Sequence, residues 1–390
     1  MGLADVLCGH RVVVCVGSGG VGKTTTAAAL ATWAAMQGRR VLCLTIDPAH
    51  RLANSLGLDE MKAEEQEVPA ALFEAYGLQL RGRLSAMMLD PKRTFDELVT
   101  RNASSPEVRD AILENRIYQY VSSSLAGTQE YMAMEKLHSV RDDERFDLVV
   151  LDTPPTSNAL DFLDAPERLV EMIDSPAMRW FLQASETSTG KFSFSALGKG
   201  AALLLKALSR FTGAEFLEEV AGFVRGLNEL FGGFRDRATQ VSRTLRSADV
   251  AFVVVTSPRP MAVREAIFFA RRLRDAGMPQ DAFVVNGVHP SLEPPTAPTE
   301  VLLAELEAAG ALEGEAEPGR LLERMWRAFD DEQALARADR LEADRLRAQT
   351  DPSSDYIEVP AFDTDVHDLG ALAQVAAHLV PGGGCEEEFR

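Results

Sequence analysis

A glycine-rich stretch near the start of the chain has the residue types and the spacing of a phosphate-binding loop. It fits the pattern G-x-x-x-x-G-K-[ST]. Glycines let successive backbone N–H groups converge on phosphate oxygens, and a helix that opens at the end of such a loop adds positive potential. We expect Lys23 to reach the β- and γ-phosphates and the Thr24 hydroxyl to ligate Mg²⁺. The candidate nucleotide-binding residues of this loop are Gly17, Ser18, Gly19, Gly20, Val21, Gly22, Lys23, Thr24 and Thr25.

Two aspartates end other apolar runs of the chain. Asp152 closes the run 147–152, where a carboxylate can hold Mg²⁺ directly or through water. Asp47 follows the second apolar run, where a carboxylate can face the γ-phosphate and orient an attacking water. The alternatives are an ordinary strand-ending aspartate for Asp152 and a helix cap for Asp47. The sequence thus predicts Lys23 and Asp47 as catalytic residues and Thr24, Asp47 and Asp152 as Mg²⁺ ligands, some through water.

The elements that must position these loops are short β-branched runs separated by helical patterns. The runs are apolar throughout, which is typical of strands buried on both faces. The predicted strands are Val12–Val16, Val41–Ile46, Leu148–Leu151, Val250–Thr256, Ala282–Val285 and Tyr356–Val359, with a weaker one at Arg83–Leu89, and the predicted helices are Lys23–Gln37, Met261–Ala276 and Leu369–Leu379. This alternation predicts an α/β fold with a mostly parallel, Rossmann-like P-loop sheet, helices on both faces and an inserted helical subdomain.

The inserted subdomain is predicted where the strand pattern is nearly absent. We assign residues 93–140 and 167–245 to it, and residues 1–92, 141–166 and 246–390 to the P-loop core, with 299–350 as a helical arm. The apolar residues of the subdomain have two interpretations: a groove for a hydrophobic client, or an ordinary helical core. These residues are Met172, Met178, Trp180, Phe181, Phe192, Phe194, Leu203, Leu204, Leu205, Phe211 and the stripe Phe216–Phe234.

Composition excludes several classes of partner. With 40 Lys and Arg against 59 Asp and Glu, the net charge is −19, and such a surface repels nucleic acid and anionic lipid. No segment approaches the ~20 apolar residues that span a bilayer, so no stable membrane insertion is expected. The four cysteines, Cys8, Cys15, Cys43 and Cys385, show no C-x-x-C spacing. We therefore predict a reduced, cytoplasmic protein without a disulfide framework, zinc or an iron–sulfur cluster.

The motifs together resemble a known class, the deviant-Walker (SIMIBI) ATPases, and within it the ArsA/Get family of arsenite-pump and tail-anchored-protein targeting ATPases. The resemblance rests on the loop Gly17–Thr25, on Asp47-Pro-Ala-His50 and on Asp152-Thr-Pro-Pro-Thr156. It implies a dimer gated by ATP, with magnesium, in which Asp47 is the water-orienting residue of switch I and Asp152 belongs to switch II.

Two later segments are similar to the adenine-binding loops of that family. They are Val284-Val-Asn286 and Val359-Pro-Ala-Phe362. The resemblance therefore implies that Asn286, Pro360 and Phe362 hold the adenine of ATP.

Some residues depart from the family pattern. Ser18 stands where the family carries a signature lysine that reaches the partner's phosphates, and a serine cannot replace a cationic clamp. Three outcomes stay open: slow hydrolysis, a heterodimer with a lysine-bearing paralogue in place of a homodimer, or substitution by a nearby cation such as Arg51. Ser157-Asn158 replaces Gly-His after switch II, and Arg259 replaces an acidic residue near the partner nucleotide.

Two other functional classes fit the sequence less well. An arsenite or anion efflux ATPase would gather cysteines in the helical region, whereas Cys8, Cys15 and Cys43 lie near the N-terminal strands. A spatial regulator of the ParA or MinD kind needs a DNA-binding surface or a C-terminal amphipathic membrane helix. The tail 381–390 is acidic and does not have the pattern of such a helix.

Overall fold

The core of the protein is one eight-stranded sheet. The computed structural model describes residues 2–46, 51–124, 128–153, 236–294, 296–310, 318–382 and 384–385, and the single positions 168, 171, 175, 176, 219 and 223. The strands are β1 (Val12–Val16), β2 (Arg40–Thr45), β3 (Gln66–Glu67), β4 (Arg83–Met88), β5 (Leu148–Asp152), β6 (Val250–Thr256), β7 (Ala282–Val288) and β8 (Asp355–Pro360). Their order is β3-β4-β2-β5-β1-β6-β7-β8, and only β3 runs antiparallel to its neighbour. The predicted α/β fold with a mostly parallel sheet is confirmed.

Helices connect the strands and form the inserted segments. They are α1 (Leu3–Gly9), α2 (Lys23–Met36), α3 (Arg51–Ser55), α4 (Ala70–Glu74), α5 (Pro91–Asn102), α6 (Pro106–Leu113), α7 (Arg116–Ser124), α8 (Thr128–Arg141), α9 (Pro260–Asp275), α10 (Thr299–Ala308), α11 (Pro318–Gln349) and α12 (Leu369–Leu379). Residues 236–245 are also helical. Local sequence explains several helix starts: the Asp90 and Asp368 side chains accept backbone N–H bonds at the first turns of α5 and α12. Among the described residues, no helix combines the length and the apolar character that crossing a bilayer requires.

The strands are apolar throughout because both faces of the sheet are covered. In β1, Val13 and Cys15 pack into a core shared with α2 and α12. Val12 and Val14 point the other way, into a core shared with α8 and α9. Side chains alternate along a strand, so a strand buried on both faces shows no polar positions.

Strands β3 and β7 differ most from what the sequence predicts. The edge strand β3 was not predicted, because two polar residues, Gln66 and Glu67, give no periodic signal. Strand β7 runs three residues past the predicted end at Val285 and contains an irregularity between Asn286 and Val288. Both differences arise from pairing with a neighbouring strand, which a single segment does not reveal.

The chain ends contradict the prediction of no disulfide framework. Cys8, in α1, is bonded to Cys385, and their Cα atoms are 5.6 Å apart. Both residues pack against the core that surrounds α2. The prediction was wrong because spacing along the chain does not show that the fold returns the C-terminal end to α1, 377 residues away. The two other cysteines, Cys15 and Cys43, are free and buried.

Candidate nucleotide site

The predicted phosphate loop joins the centre of the sheet to a buried helix. It leaves β1 at its carboxyl end, between β5 and β6, and opens α2 at Lys23. Gly17 has a φ of +154°, and a Cβ at this position would lie 2.0 Å from the Val255 carbonyl oxygen. Gly22, the N-cap of α2, has a φ of +93°. Gly17 must be glycine mainly because there is no space for a side chain. Gly22 must be glycine because its backbone is left-handed as well.

The Lys23 side chain folds back across this loop. Its Nζ donates to the Ser18 carbonyl oxygen at 2.7 Å, and the residue is only 6% exposed. A lysine held in this way places a positive charge over the loop at the positive end of α2, where a phosphate anion is favoured. The structure thus brings together the ammonium and the loop that the sequence predicts to bind phosphate.

Asp152 connects the start of α2 with the ends of two strands. Its Oδ2 accepts from the Thr24 hydroxyl at 2.8 Å and from the Thr45 hydroxyl at 3.0 Å. The residue is fully buried at the carboxyl end of β5. A hydroxyl and a carboxylate side by side form an all-oxygen donor set, which is what Mg²⁺ prefers, with phosphate and water oxygens completing its shell. Thr24 and Asp152 therefore fit the magnesium ligation predicted for them.

The buried thiols near this carboxylate are protonated. Burial raises the pKa of Cys15 well above its ordinary value, and the nearby charge of Asp152 raises it further. The pKa of Cys43 is raised for the same two reasons. A thiol in this state is a poor nucleophile and a poor metal ligand. The two cysteines next to the candidate site therefore have a packing role.

The predicted base-binding residues lie at the neighbouring ends of β7 and β8. The Asn286 amide donates to the Val21 carbonyl oxygen at 3.0 Å, so this side chain contacts the phosphate loop. In the ladder, Asn286 pairs with Val359, and Val288 pairs with Pro360. Phe362 is half-buried and packs edge-on against a histidine of α12, with ring centroids 5.7 Å apart. The three predicted residues thus belong to one edge of the sheet, on the side of the phosphate loop that faces β8.

Several predicted residues lie outside the described residues. They include Asp47, the predicted water-orienting residue, and Ser157 and Asn158. The side chain of Arg51, which opens α3, is also outside them. Arg259 is described, and it is an exposed residue that precedes α9.

One member of the predicted client stripe is described, and it is not exposed. Phe223 is buried, with its ring 6.5 Å from that of Tyr118, which in turn packs on Phe95. At this position the alternative interpretation holds, because the side chain is part of a helical core. The other residues proposed to line the groove lie outside the described residues.

The prediction missed two threonines of the site. Thr45 ends β2 and donates to Asp152, and the Thr153 hydroxyl donates to the Cys15 carbonyl oxygen at 2.8 Å. Both are hydroxyl residues at the carboxyl end of an apolar strand, which is the signal that points to them. Together with Thr24 they hold the carboxyl ends of β1, β2 and β5 around one carboxylate.

Comparison with known proteins points to one family. The sequence profile of the anion-transporting ATPases matches residues 10–298. ATPase ASNA1 homolog 1 of Paramecium tetraurelia is 31% identical over 153 residues, which cover 38% of this chain and 42% of that protein. The ATPase get3 of Aspergillus terreus is 26% identical over 272 residues, which cover 69% and 71%. The ATPase GET3 of Malassezia globosa is 31% identical over 157 residues, which cover 40% and 43%. The similarity thus spans less than half of the Paramecium and Malassezia relatives and about seven tenths of the Aspergillus one.

Proposed function

This chain belongs to the family of anion-transporting ATPases, and from that membership we propose that it binds Mg²⁺–ATP at Gly17–Thr25 and hydrolyses it to ADP and phosphate. The observation that carries the proposal is the joint placement of Lys23 over the loop and of Thr24 against Asp152. A turn that matched the motif by chance would give no reason for a buried carboxylate from another strand to meet the residue after the lysine. The names of the similar proteins, each an ATPase, support the same reaction.

Different residues of the chain have different roles in the proposed reaction. Main-chain N–H groups of the loop and the start of α2 bind the phosphates, and Lys23 exchanges the Ser18 carbonyl for a phosphate oxygen. Thr24 and Asp152 would hold Mg²⁺, which would neutralise charge on the phosphates. Asp47 orients the water that attacks the γ-phosphate, and Asn286, Pro360 and Phe362 hold the base. Hydrolysis then changes the contacts of the loops that follow β2 and β5.

The direct test is turnover of ATP by the purified chain. Wild type should release phosphate only when Mg²⁺ is present, and Asp47→Asn should slow release by about 100-fold, because an amide is a poor acceptor for the attacking water. The affinity for ATP should change little, since the carboxylate acts on the water. A wild type that releases no phosphate contradicts the ATPase proposal. An Asp47→Asn variant with normal turnover contradicts only the role of Asp47.

We also propose that ATP drives a dimer between open and closed forms that handle a hydrophobic client or partner protein. The support is the family and the apolar stripe Phe216–Phe234. A photocrosslinking residue at Phe231, presented with a transmembrane-helix peptide, tests this, and the same residue at buried Phe223 is the control. Adducts that do not depend on ATP, or that are equal at both positions, would exclude the groove. The mass in solution with and without nucleotide tests the dimer.

A second candidate function follows from Ser18. With no cation at this position, the chain would be a weakly active nucleotide-binding partner of a paralogue that carries the lysine. Under this proposal, Ser18→Lys raises the turnover of the chain alone by about 10-fold or more, because a positive charge is restored next to the transferred phosphate. Steady-state phosphate release measures this, with Ser18→Gln as a control of similar length. An equal rate for all three proteins would show that position 18 does not limit turnover.

We also propose where in the cell the protein is located. A cytoplasmic location agrees with the net charge of −19, which disfavours anionic lipid surfaces. The Cys8–Cys385 bond opposes it, because cytosolic reductants keep such pairs reduced. Alkylation of free thiols immediately after cell lysis, followed by mass spectrometry, distinguishes a cytoplasmic location from an oxidising compartment. Cys8 and Cys385 found alkylated supports the cytoplasm, and an intact bond points to an oxidising compartment.

A further inference from the structure

The carboxyl end of β7 turns sharply at a single glycine. Gly287 has a φ of +78°, and the pairing of β7 with β8 shifts register between Asn286 and Val288. This is a β-bulge, which re-aims the side chains on either side of it. Asn286 points to the phosphate loop, and the chain then leaves the sheet at His289.

Three contacts fix this bulge to three other parts of the protein. The Asn286 amide donates to the Val21 carbonyl oxygen in the phosphate loop. The Ala361 N–H, one residue before Phe362, donates to the Val288 carbonyl oxygen at 2.9 Å. The third contact comes from the middle of α11, where Asp339 meets His289. The bulge is therefore held from the phosphate loop, from the end of β8 and from the helical arm.

The contact between the bulge and α11 is made by a buried carboxylate. One carboxylate oxygen of Asp339, Oδ2, accepts from the His289 main-chain N–H at 2.9 Å and from the His289 ring nitrogen Nδ1 at 2.6 Å. Because a carboxylate only accepts, Nδ1 carries the proton. Asp339 is 7% exposed, and a buried carboxylate is retained only with such donors. Removing its charge would therefore weaken both bonds that hold the turn after the bulge.

We propose that Asp339 is a positioning residue for the nucleotide base. It lies on α11, whereas the candidate base-binding residues Asn286 and Phe362 lie at the ends of β7 and β8. By fixing His289, the carboxylate sets the direction in which the chain leaves β7. The bulge then keeps its shape, with Asn286 against the phosphate loop and the end of β8 beside it. The phosphate groups are bound by the main chain of Gly17–Thr25, which is fixed between β1 and α2, so Asp339 should act mainly on the base. This inference rests on the proposed binding of ATP.

The test compares two ligands that differ in the nucleoside, which is the base with its ribose. Mg²⁺–ATP has the nucleoside and a triphosphate, whereas inorganic tripolyphosphate with Mg²⁺ has only the triphosphate. In Asp339→Asn we expect the affinity for ATP to fall about 10-fold, because a neutral amide oxygen accepts the two bonds from His289 more weakly than a carboxylate does. The affinity for tripolyphosphate should change less than about 2-fold, because the loop that binds it is untouched. Titration calorimetry on the full chain measures both.

A matched control comes from the same helix. Asp344 is an exposed carboxylate of α11 whose ion pair with Arg347 spans 3.7 Å, so Asp344→Asn should leave both affinities unchanged. If Asp339→Asn does not fold, His289→Gln replaces it, since it keeps the main-chain bond and loses the ring, and it should show a smaller loss in the same direction.

The outcomes separate this inference from the proposed function. A selective loss of ATP affinity supports the positioning role. An equal loss for both ligands, or no loss for either, overturns it while leaving ATP binding in place. A wild type that binds tripolyphosphate and ATP equally well also overturns it, because no base contact then exists to be positioned. A wild type that binds neither ligand overturns the proposed function, and this inference with it.

Discussion

Replacing Lys23 with alanine is expected to lower ATP turnover by at least about 100-fold, the range seen when a charged group that stabilises a transition state is removed. The ammonium is the one described cation held directly over the phosphate loop, through the Ser18 carbonyl oxygen at 2.7 Å. It is nearly covered by protein, so solvent screens its charge less than that of a surface lysine. Position 18, where a second cation would stand beside the phosphates, is a serine.

The measurement is phosphate release together with calorimetric affinity for ATP. Lys23→Arg separates charge from shape, because a guanidinium keeps the charge but does not fit the turn that the lysine makes to Ser18. Lys62→Ala is the surface control, since Lys62 is half-exposed and its ion pair with Glu60 spans 3.8 Å. Full activity in Lys23→Ala would contradict the assignment of Gly17–Thr25 as the nucleotide site, even if the chain hydrolyses ATP.

The part of the site that the sequence predicts well is the part that is continuous in the chain. The loop, Lys23 and the start of α2 follow one another, and the glycine requirement at Gly17 and Gly22 follows from local backbone geometry. Asp152 was also predictable, because in a parallel sheet the carboxyl ends of central strands lie at one edge. The hydrogen bond between Thr24 and Asp152 confirms that these two segments meet.

The part that the sequence does not reveal is made by contacts between distant segments. Asp339 and His289 are separated by 50 residues, and nothing in the pattern of α11 marks one of its acidic residues as buried. The Cys8–Cys385 bond joins the two ends of the chain. Phe223 shows the same limit: helical spacing reveals an apolar stripe but does not say whether a core or a client covers it.

Gly17→Ala is expected to have the second large effect, on folding as well as on binding. A Cβ at this position would lie 2.0 Å from the Val255 carbonyl oxygen, and Val255 belongs to β6, which is paired on both sides. That oxygen is main chain in the centre of the sheet, so it cannot move aside as a flexible side chain would. We expect the free energy of unfolding to fall by about 3 kcal/mol, the upper end of the usual range for overpacked core positions.

Gly20→Ala is the matched control, because it lies three residues further along the same loop. Gly20 has a φ of +74°, so alanine there costs about 1–2 kcal/mol of backbone strain, but its Cβ would meet no atom within 4 Å. Urea unfolding without nucleotide should therefore show the larger loss for Gly17→Ala, because only this variant adds a clash with β6 to the strain. Circular dichroism measures both curves. If the two variants lose the same stability, the close approach of the loop to β6 is wrong, and with it the geometry that places Lys23 over the loop.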